Sequence, residues 1–498
     1  MNRALLVLHH TQAAGRTSAR PSSPIAIVGG PPAVANALVH ILAERGVIAE
    51  PGPVSPATAG VICLSGLSFN AAATGNAREA HRIAREAFDA ARAFAPRAEK
   101  EGGLLLTVQD TGGDFGLAAG AGPRAWAASL PGLVKTAAVE WPAASCKALD
   151  IATAAPGIES RLSPQVIAQR IADEVMAGGA DRLIAIDSAG CRWTPEDAPC
   201  RLDRSGPPSL DLSGRPVVVV SGGGRGITAT ATLALAAAAP LRLVLLGRTV
   251  LTVEPAETAG LEDAAAIQRQ LMSLGAKRGE VLGPRQLREQ TGHILAAREI
   301  RRTLAALAAR GSEAVYRSLD AADAAAVATA LAEIRAAWGA PIAGIVHGAG
   351  VLADKRIAQK PPADFDRVFA TKVQGLEALL RATDADPLRF IALFSSVAAR
   401  YGNFGQCDYA MANEVLNHVA RAEAARRGPA CIVRSFNWGP WDGGMVTPAL
   451  RELFHGRGIG LIGEAEGAAQ FVDELLRGRP GLDEVDVMLG STLVPETV

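Results

Sequence analysis

The feature that most constrains this chain is a run of four valines, Val217–Val220, that passes directly into Ser221-Gly222-Gly223-Gly224-Arg225-Gly226-Ile227-Thr228 and then a helical pattern. An unbroken β-branched run marks a strand buried on both faces, as in a parallel sheet covered by helices on either side. Glycines after such a strand allow a tight turn and close backbone approach to a pyrophosphate. The next helix supplies free N–H groups and partial positive charge. A glycine-rich string alone is weak; its place between strand and helix gives it weight against the plain alternative of an unliganded turn. Ser221, Gly222, Gly224, Arg225, Gly226 and Ile227 are therefore candidate cofactor-binding residues.

The same grammar continues downstream. Leu243–Leu246, Ala314–Ser318, Gly344–His347, Phe390–Phe394, Cys431–Phe436 and Val485–Leu489 read as strands separated by helical stretches. Upstream, Ile25–Val28, Val61–Leu64, Leu104–Val108 and Leu183–Ile186 read as strands, and Pro31–Gly46, Ala71–Phe94 and Ala125–Trp141 as helices. Alternation of this kind implies a parallel sheet with helices on both faces. Pro195–Pro216 holds five prolines and little apolar periodicity, so it is the expected domain boundary. The predicted fold class is α/β, with two tandem Rossmann-like doubly wound domains: a truncated, structural one over 1–205 and a catalytic one over 206–498. The polar, helical stretch 251–297 reads as an insertion in the second.

The two domains differ in their turns. The first strand of the upstream domain runs into Gly29-Gly30-Pro31-Pro32, where two prolines remove N–H donors that a phosphate would need. No cofactor is expected there. In the downstream domain the second strand ends in Gly247-Arg248-Thr249, where the adenosine ribose would sit. An acidic residue there would repel a 2′-phosphate; Arg248 offers it a planar fork of donors, which favours NADPH over NADH.

Tyr409 and Asn413 are four apart in a helical pattern and share one helix face. Ser396 lies thirteen residues before Tyr409, just after the strand Phe390–Phe394, where active groups of such sheets gather. Lys372 lies on the helical stretch Asp364–Leu380. Ketone reduction calls for these residue types. A proton must reach the forming alkoxide, and a free phenol, with a pKa near ~10, is a reluctant donor partner. A nearby ammonium favours the phenolate, so Lys372 is expected to lower the pKa of Tyr409. Ser396 can polarise the carbonyl, and Asn413 can hold a water or Lys372 in a proton relay. Each residue alone is commonplace (a packing tyrosine, a capping serine, a surface lysine); their order downstream of the glycine turn is not.

Composition narrows the alternatives. Fifty basic and fifty acidic residues leave no net charge to draw the chain to nucleic acid or to an anionic membrane. Aromatic residues, at 4%, are too few for a base-stacking platform. No long apolar window suggests a membrane span, and Met1–Ala14 lacks the pattern of a secretory signal. Six scattered cysteines without CxxC spacing suggest reduced, metal-free thiols and a cytoplasmic location.

Taken together, Ser221–Thr228, Asp320, His347-Gly348-Ala349-Gly350, Lys372, Ser396, Tyr409, Asn413 and Asn437-Trp438-Gly439-Pro440-Trp441 resemble the short-chain dehydrogenase/reductase superfamily. Within it, they resemble the ketoreductase domains of polyketide synthases and of polyunsaturated fatty acid synthases. The resemblance spans the chain and is strongest over 212–460. It implies that Asp320 contacts the adenine and that Gly348, Ala349 and Gly350 line NADPH with backbone. It implies that Ser396 and Tyr409 are the catalytic pair, supported by Lys372 and Asn413. Leu352-Ala353-Asp354 is similar to the Leu-Asp-Asp signature of B-type enzymes, which give a 3R alcohol, although its middle position is Ala353. The tryptophan of A-type enzymes would fall at Tyr401. Asp354, Trp438 and Met445 are the expected substrate and stereocontrol residues, with Gly443-Gly444-Met445 and the next helix as a lid. Thr228 departs from the family, which has a glycine there for close packing of helix on strand. The implied activity is NADPH-dependent reduction of a β-ketoacyl chain on acyl carrier protein, in a piece of a larger synthase with other domains as neighbours. A free-standing reductase of small ketones and a non-catalytic module retaining the fold are the alternatives.

Overall fold

The computed structural model describes residues 1–13, 23–68, 76–118, 121–154, 162–205, 208–444, 446, 448–456, 458–481 and 484–490. The strands, in chain order, are β1 (Asn2–His10), β2 (Ile25–Val28), β3 (Ala49–Pro51), β4 (Gly60–Gly66), β5 (Gly103–Gln109), β6 (Ala144–Ile151), β7 (Leu183–Ile186) and β8 (Arg192–Pro199). They continue as β9 (Val217–Ser221), β10 (Arg242–Gly247), β11 (Glu313–Ser318), β12 (Ile342–His347), β13 (Phe390–Ser396), β14 (Ile432–Trp438) and β15 (Asp486–Gly490). Every residue of β9, four valines and Ser221, is buried, as a strand with helices on both faces should be.

Among the described residues these strands form one sheet, in the order β11-β10-β9-β12-β13-β14-β15-β1-β8-β7-β6-β5-β4-β2-β3. Both arms have the doubly wound reversal of strand order, at β9/β12 and at β2/β4, with three strands beyond the reversal downstream and two upstream. The arms are not separate sheets, however. β1 pairs antiparallel with β15 on one side and with β8 on the other, closing the gap between them. Arg3 of β1 reinforces the seam, donating from Nε to Glu474 at 2.7 Å. The proline-rich stretch is correspondingly not all linker: Pro195 and Pro199 lie in β8.

Helices also cross between the arms. Phe88, on the helix Ala77–Glu101, stacks on Phe365, on the helix Pro362–Ala382, with ring centroids 4.5 Å apart. Both rings are fully buried, each worth about 1.5–3 kcal/mol of transfer free energy. Gly132, on the helix Leu130–Glu140, lies so close to the helix Cys407–Arg427 that a Cβ would sit 2.6 Å from the carbonyl carbon of Ala410. The predicted insertion is a 3-10 turn (Ala256–Thr258), a helix (Ala264–Lys277) and the front of a long helix, Pro284–Ala309. That last helix is not purely inserted. Leu307 is buried in the cluster around β9 and β10, so the helix is also the crossover that leads to β11. Among the described residues no helix is long and apolar enough to cross a membrane.

Candidate active site

In a parallel sheet, the carboxyl ends of strands at a reversal of order open a crevice. Here the reversal falls between β9 and β12, which are in register at Ser221 and His347. Gly222 has φ +74°, and a Cβ on it would lie 2.9 Å from the backbone of Gly348 and Ala349. Gly226 opens the next helix, Gly226–Ala238, at φ +63°. The N-cap Arg225 makes no side-chain cap, which leaves the first N–H groups for a ligand. One of them is engaged by the protein: Gly226 N donates to Glu299 Oε1 at 2.8 Å. Glu299 lies on Pro284–Ala309 and is only half-buried, and sequence patterns gave no sign of it.

Thr228, the departure from the family pattern, has a structural answer across the turn. A Cβ on Gly348 would sit 2.3 Å from Thr228 Oγ1, so Gly348 makes the space that a glycine at 228 would otherwise make. Arg225 and Arg248 are both exposed beside the turn and form no ion pair among the described residues. Asp320 lies beyond β11 and accepts from Ala322 N at 3.0 Å, a turn contact that leaves its other oxygen uncommitted. A close-fitting glycine turn and an uncapped helix start fit the phosphates of a nicotinamide dinucleotide. Gly348 N donates to the Ser221 carbonyl at 3.0 Å and Ala349 N to Ser221 Oγ at 3.4 Å, which ties the end of β12 to the turn.

His347 was visible in the sequence only as part of a motif. Its imidazole is buried between Ser221 at the end of β9 and the backbone of Lys372. Nε2 lies 2.9 Å from the Lys372 carbonyl, which can only accept, so the ring proton sits there. Nδ1 then accepts from Ser221 Oγ at 2.7 Å. Burial, with the Lys372 charge nearby, pushes His347 down to about 3, so the ring is neutral.

The structure brings the four predicted catalytic residues together at the end of β13. Lys372 Nζ stands over the Tyr409 ring, 5.2 Å from its centroid, and donates to the Phe394 carbonyl at 2.8 Å. Asn413 Nδ2 donates to the Tyr409 carbonyl at 2.9 Å, one helical turn back. Its Oδ1 is buried with no hydrogen-bond partner. Ser396 caps the short helix Val397–Tyr401, accepting from Ala398 N at 3.1 Å. The electrostatic expectation for Tyr409 is corrected. Burial pushes its phenol up, Asn413 and Ser396 pull it down and the charge of Asp354 opposes them, leaving it above its ordinary value. Lys372 faces the ring rather than the oxygen, and burial draws it down to about 7.

Asp354, expected to act in stereocontrol, is exposed and accepts from Gln406 Nε2 at 2.9 Å. Tyr401 turns its hydroxyl to Asp197 of β8, at 2.8 Å. Trp438, expected at the substrate, is instead 4% exposed. It stacks on Phe436 at 5.2 Å and meets Trp441 edge-on at 5.0 Å, in an aromatic cluster under the sheet end. Met445 lies outside the described residues. The upstream turn is built differently. Gly29 has φ +66°, and a Cβ there would meet Ser65 Oγ at 2.6 Å and Glu86 Oε2 at 2.8 Å. Glu86 is held by Ser65 at 2.7 Å, and Pro31 and Pro32 begin the helix.

The glycine crevice, the Lys-Ser-Tyr-Asn cluster and the doubly wound arm define an oxidoreductase of the short-chain dehydrogenase/reductase type. Residues 216–443 match the family model of the KR domain, and that part of the chain belongs to this family. Domains of this family use a nicotinamide cofactor. The chain is 35% identical over 412 residues to a polyunsaturated fatty acid synthase chain of Thraustochytrium sp., covering 81% of this chain and 14% of that protein. It is 41% identical over 133 residues to a reducing polyketide synthase of Cochliobolus heterostrophus, covering 27% of this chain and 5% of that one. The chain thus spans a small part of the length of these relatives. Among solved structures, a ketoreductase domain from the bacillaene assembly line aligns with a TM-score of 0.67 at 19% identity, over 98% of this chain and 96% of that one.

Proposed function

We propose that this chain reduces the β-ketone of an acyl thioester carried on acyl carrier protein, using NADPH, and that it works inside a larger cytoplasmic synthase. In this reading 206–498 is the catalytic part and 1–205 a structural part that binds no cofactor. The observation that carries the proposal is the convergence of Lys372, Ser396, Tyr409 and Asn413 beside an uncapped glycine turn. The fatty acid synthase relative supports a carrier-bound substrate. A phosphopantetheine tether would present the ketone at high effective concentration, so the site needs little affinity for the chain itself.

NADPH supplies the hydride. Ser396 donates a hydrogen bond to the ketone oxygen as negative charge builds on it. Tyr409, kept protonated by a pKa above its ordinary value, transfers its phenolic proton to the same oxygen, which as an alkoxide is the stronger base. The unpaired Asn413 Oδ1 can take a water that returns the proton toward Tyr409. Neutral His347 fixes the Lys372 backbone against Ser221, tying the proton-handling helix to the cofactor turn. Arg248, with Arg225, receives the 2′-phosphate, and Asp320 the adenine. Asp354 beside Gln406, with Tyr401 tied to Asp197, supports the B-type outcome, a 3R alcohol.

The test is NADPH oxidation with a β-ketoacyl-pantetheine thioester, followed by chiral chromatography of the product. Turnover to a 3R alcohol is expected. Turnover on free ketones alone would mean a free-standing reductase, tight NADPH binding without turnover a non-catalytic module, and a 3S product would discard the B-type assignment.

A further inference from the structure

Asp354 lies on a loop with no strand or long helix of its own, between β12 and the helix Pro362–Ala382. A loop that presents a substrate-facing group to a fixed catalytic helix needs an external frame. The frame here comes from two sides. Lys355 N donates to the Gly405 carbonyl at 3.0 Å, and Gln406 reaches Asp354, which joins this loop to residues 402–406 before the catalytic helix. Glu140, the last residue of the helix Leu130–Glu140 in the upstream arm, then grips both loops. Its Oε2 accepts from Ile357 N at 2.8 Å and its Oε1 from Gly405 N at 3.0 Å.

Two further contacts complete the frame. Gly402, at φ +75°, lies flat on the same upstream helix; a Cβ on it would be 2.4 Å from the backbone carbon of Lys135. Lys360 Nζ, fully buried, donates to the Ala353 carbonyl at 2.7 Å and to Asp408 Oδ2 at 2.8 Å. Asp408 immediately precedes Tyr409 and accepts its backbone N–H at 2.9 Å. One carboxylate from the arm without a cofactor turn and one buried ion pair thus fix the residues on either side of Asp354 relative to the catalytic phenol. Buried ion pairs are poor stabilisers, since desolvation offsets the attraction, but they hold geometry well.

We infer that Glu140 is a positioning residue: with Lys360–Asp408 it locks the Asp354 loop against the catalytic helix and so sets which face of the ketone meets the hydride. This rests on the ketoreductase reading, and the experiment separates the two. Glu140→Ala, Glu140→Gln and wild type are compared for product 3R:3S ratio, KM and kcat on the thioester, NADPH affinity, and amide hydrogen exchange at Ile357 and Gly405. Glu140→Ala is expected to lower the stereochemical ratio at least tenfold and raise KM more than it lowers kcat. NADPH affinity should stay as in wild type, and both amides should exchange at least tenfold faster. Glu140→Gln, which keeps the shape and one acceptor, should recover part of the ratio and protect one amide. Asp408→Asn, which keeps an acceptor for Lys360, should shift the ratio in the same direction by less. An unchanged ratio in Glu140→Ala overturns the inference even if thermal stability falls, as do amides that exchange equally in variant and wild type. If wild type does not reduce the thioester, the ketoreductase reading fails by itself, and the exchange rates decide whether the lock exists.

Discussion

The molecule contains two glycine turns at equivalent places, one per arm, and in the proposed function only the downstream one receives a phosphate. Both turns have positive-φ glycines and both face a glutamate: Glu86 at Gly29, Glu299 at Gly226. They differ in donors and in how the glutamate is held. Pro31 and Pro32 strip the upstream helix start of N–H groups, and Glu86 is anchored by Ser65 inside its own arm. Downstream, the helix begins at Gly226 with its N–H groups present, and Glu299 is a half-exposed side chain on a separate helix. A strand-turn-helix is thus neutral ground; the few atoms at the helix start decide whether it binds a cofactor.

The largest test of that contrast is chemical. Tyr409→Phe is expected to cut turnover about 10²–10⁴-fold, the usual worth of a positioned proton donor, while NADPH affinity measured by fluorescence titration stays within about twofold. A variant with wild-type turnover would move the chemistry elsewhere. Next is Arg248→Asp, which should weaken NADPH roughly ten- to a hundredfold and NADH far less, because a charge-assisted contact is lost and a repulsion gained. Equal losses for both cofactors would remove Arg248 from the 2′-phosphate.

A smaller effect compares the turns directly. Gly222→Ala should weaken cofactor about tenfold, since a Cβ at φ +74° costs ~1–2 kcal/mol and presses on Gly348. Gly30→Ala, at φ +80° with its Cβ 2.3 Å from that of Leu64, should lower the melting temperature and leave cofactor affinity unchanged. Matching losses of affinity would erase the distinction. The smallest effect sharpens it: Glu299→Gln should tighten NADPH by roughly two- to fivefold, the scale of a partly exposed charge interaction, and Glu86→Gln should not. Isothermal titration of the two variants decides the point.

Strands that consist of apolar runs were legible in the sequence. Ile25–Val28 and Leu183–Ile186 were read with their observed bounds, and the strands from β9 to β15 to within a residue or two. What escaped was polar. β6 hides Lys147 and Asp150 in its interior because their partners are distant: Lys147 Nζ meets Glu174 at 2.5 Å, and Asp150 accepts backbone N–H groups from Thr111, Asp114 and Phe115. β8, with two prolines, Glu196 and Asp197, reads as a linker until β1 supplies its pairing. The four proposed catalytic residues were readable because their spacing is local or ordered along the chain. Glu140, Glu299 and the neutral role of His347 were not, since each acts on a backbone group that is close only after folding. Trp438 was misplaced for a related reason: a motif gives neighbours along the strand but not the face on which the ring lands.

The antiparallel strand at the seam has a consequence for biosynthesis. β1 leaves the ribosome long before β15 exists, yet its partners lie at both distances: Arg3 must find Glu474, 471 positions later. Until β15 has been made, the edge of the upstream half stays open, a tempting template for another nascent copy. Trimming the gene back to residue 206 to obtain a smaller enzyme would leave β15 with that same bare edge, so aggregation is the outcome to expect from such a clone.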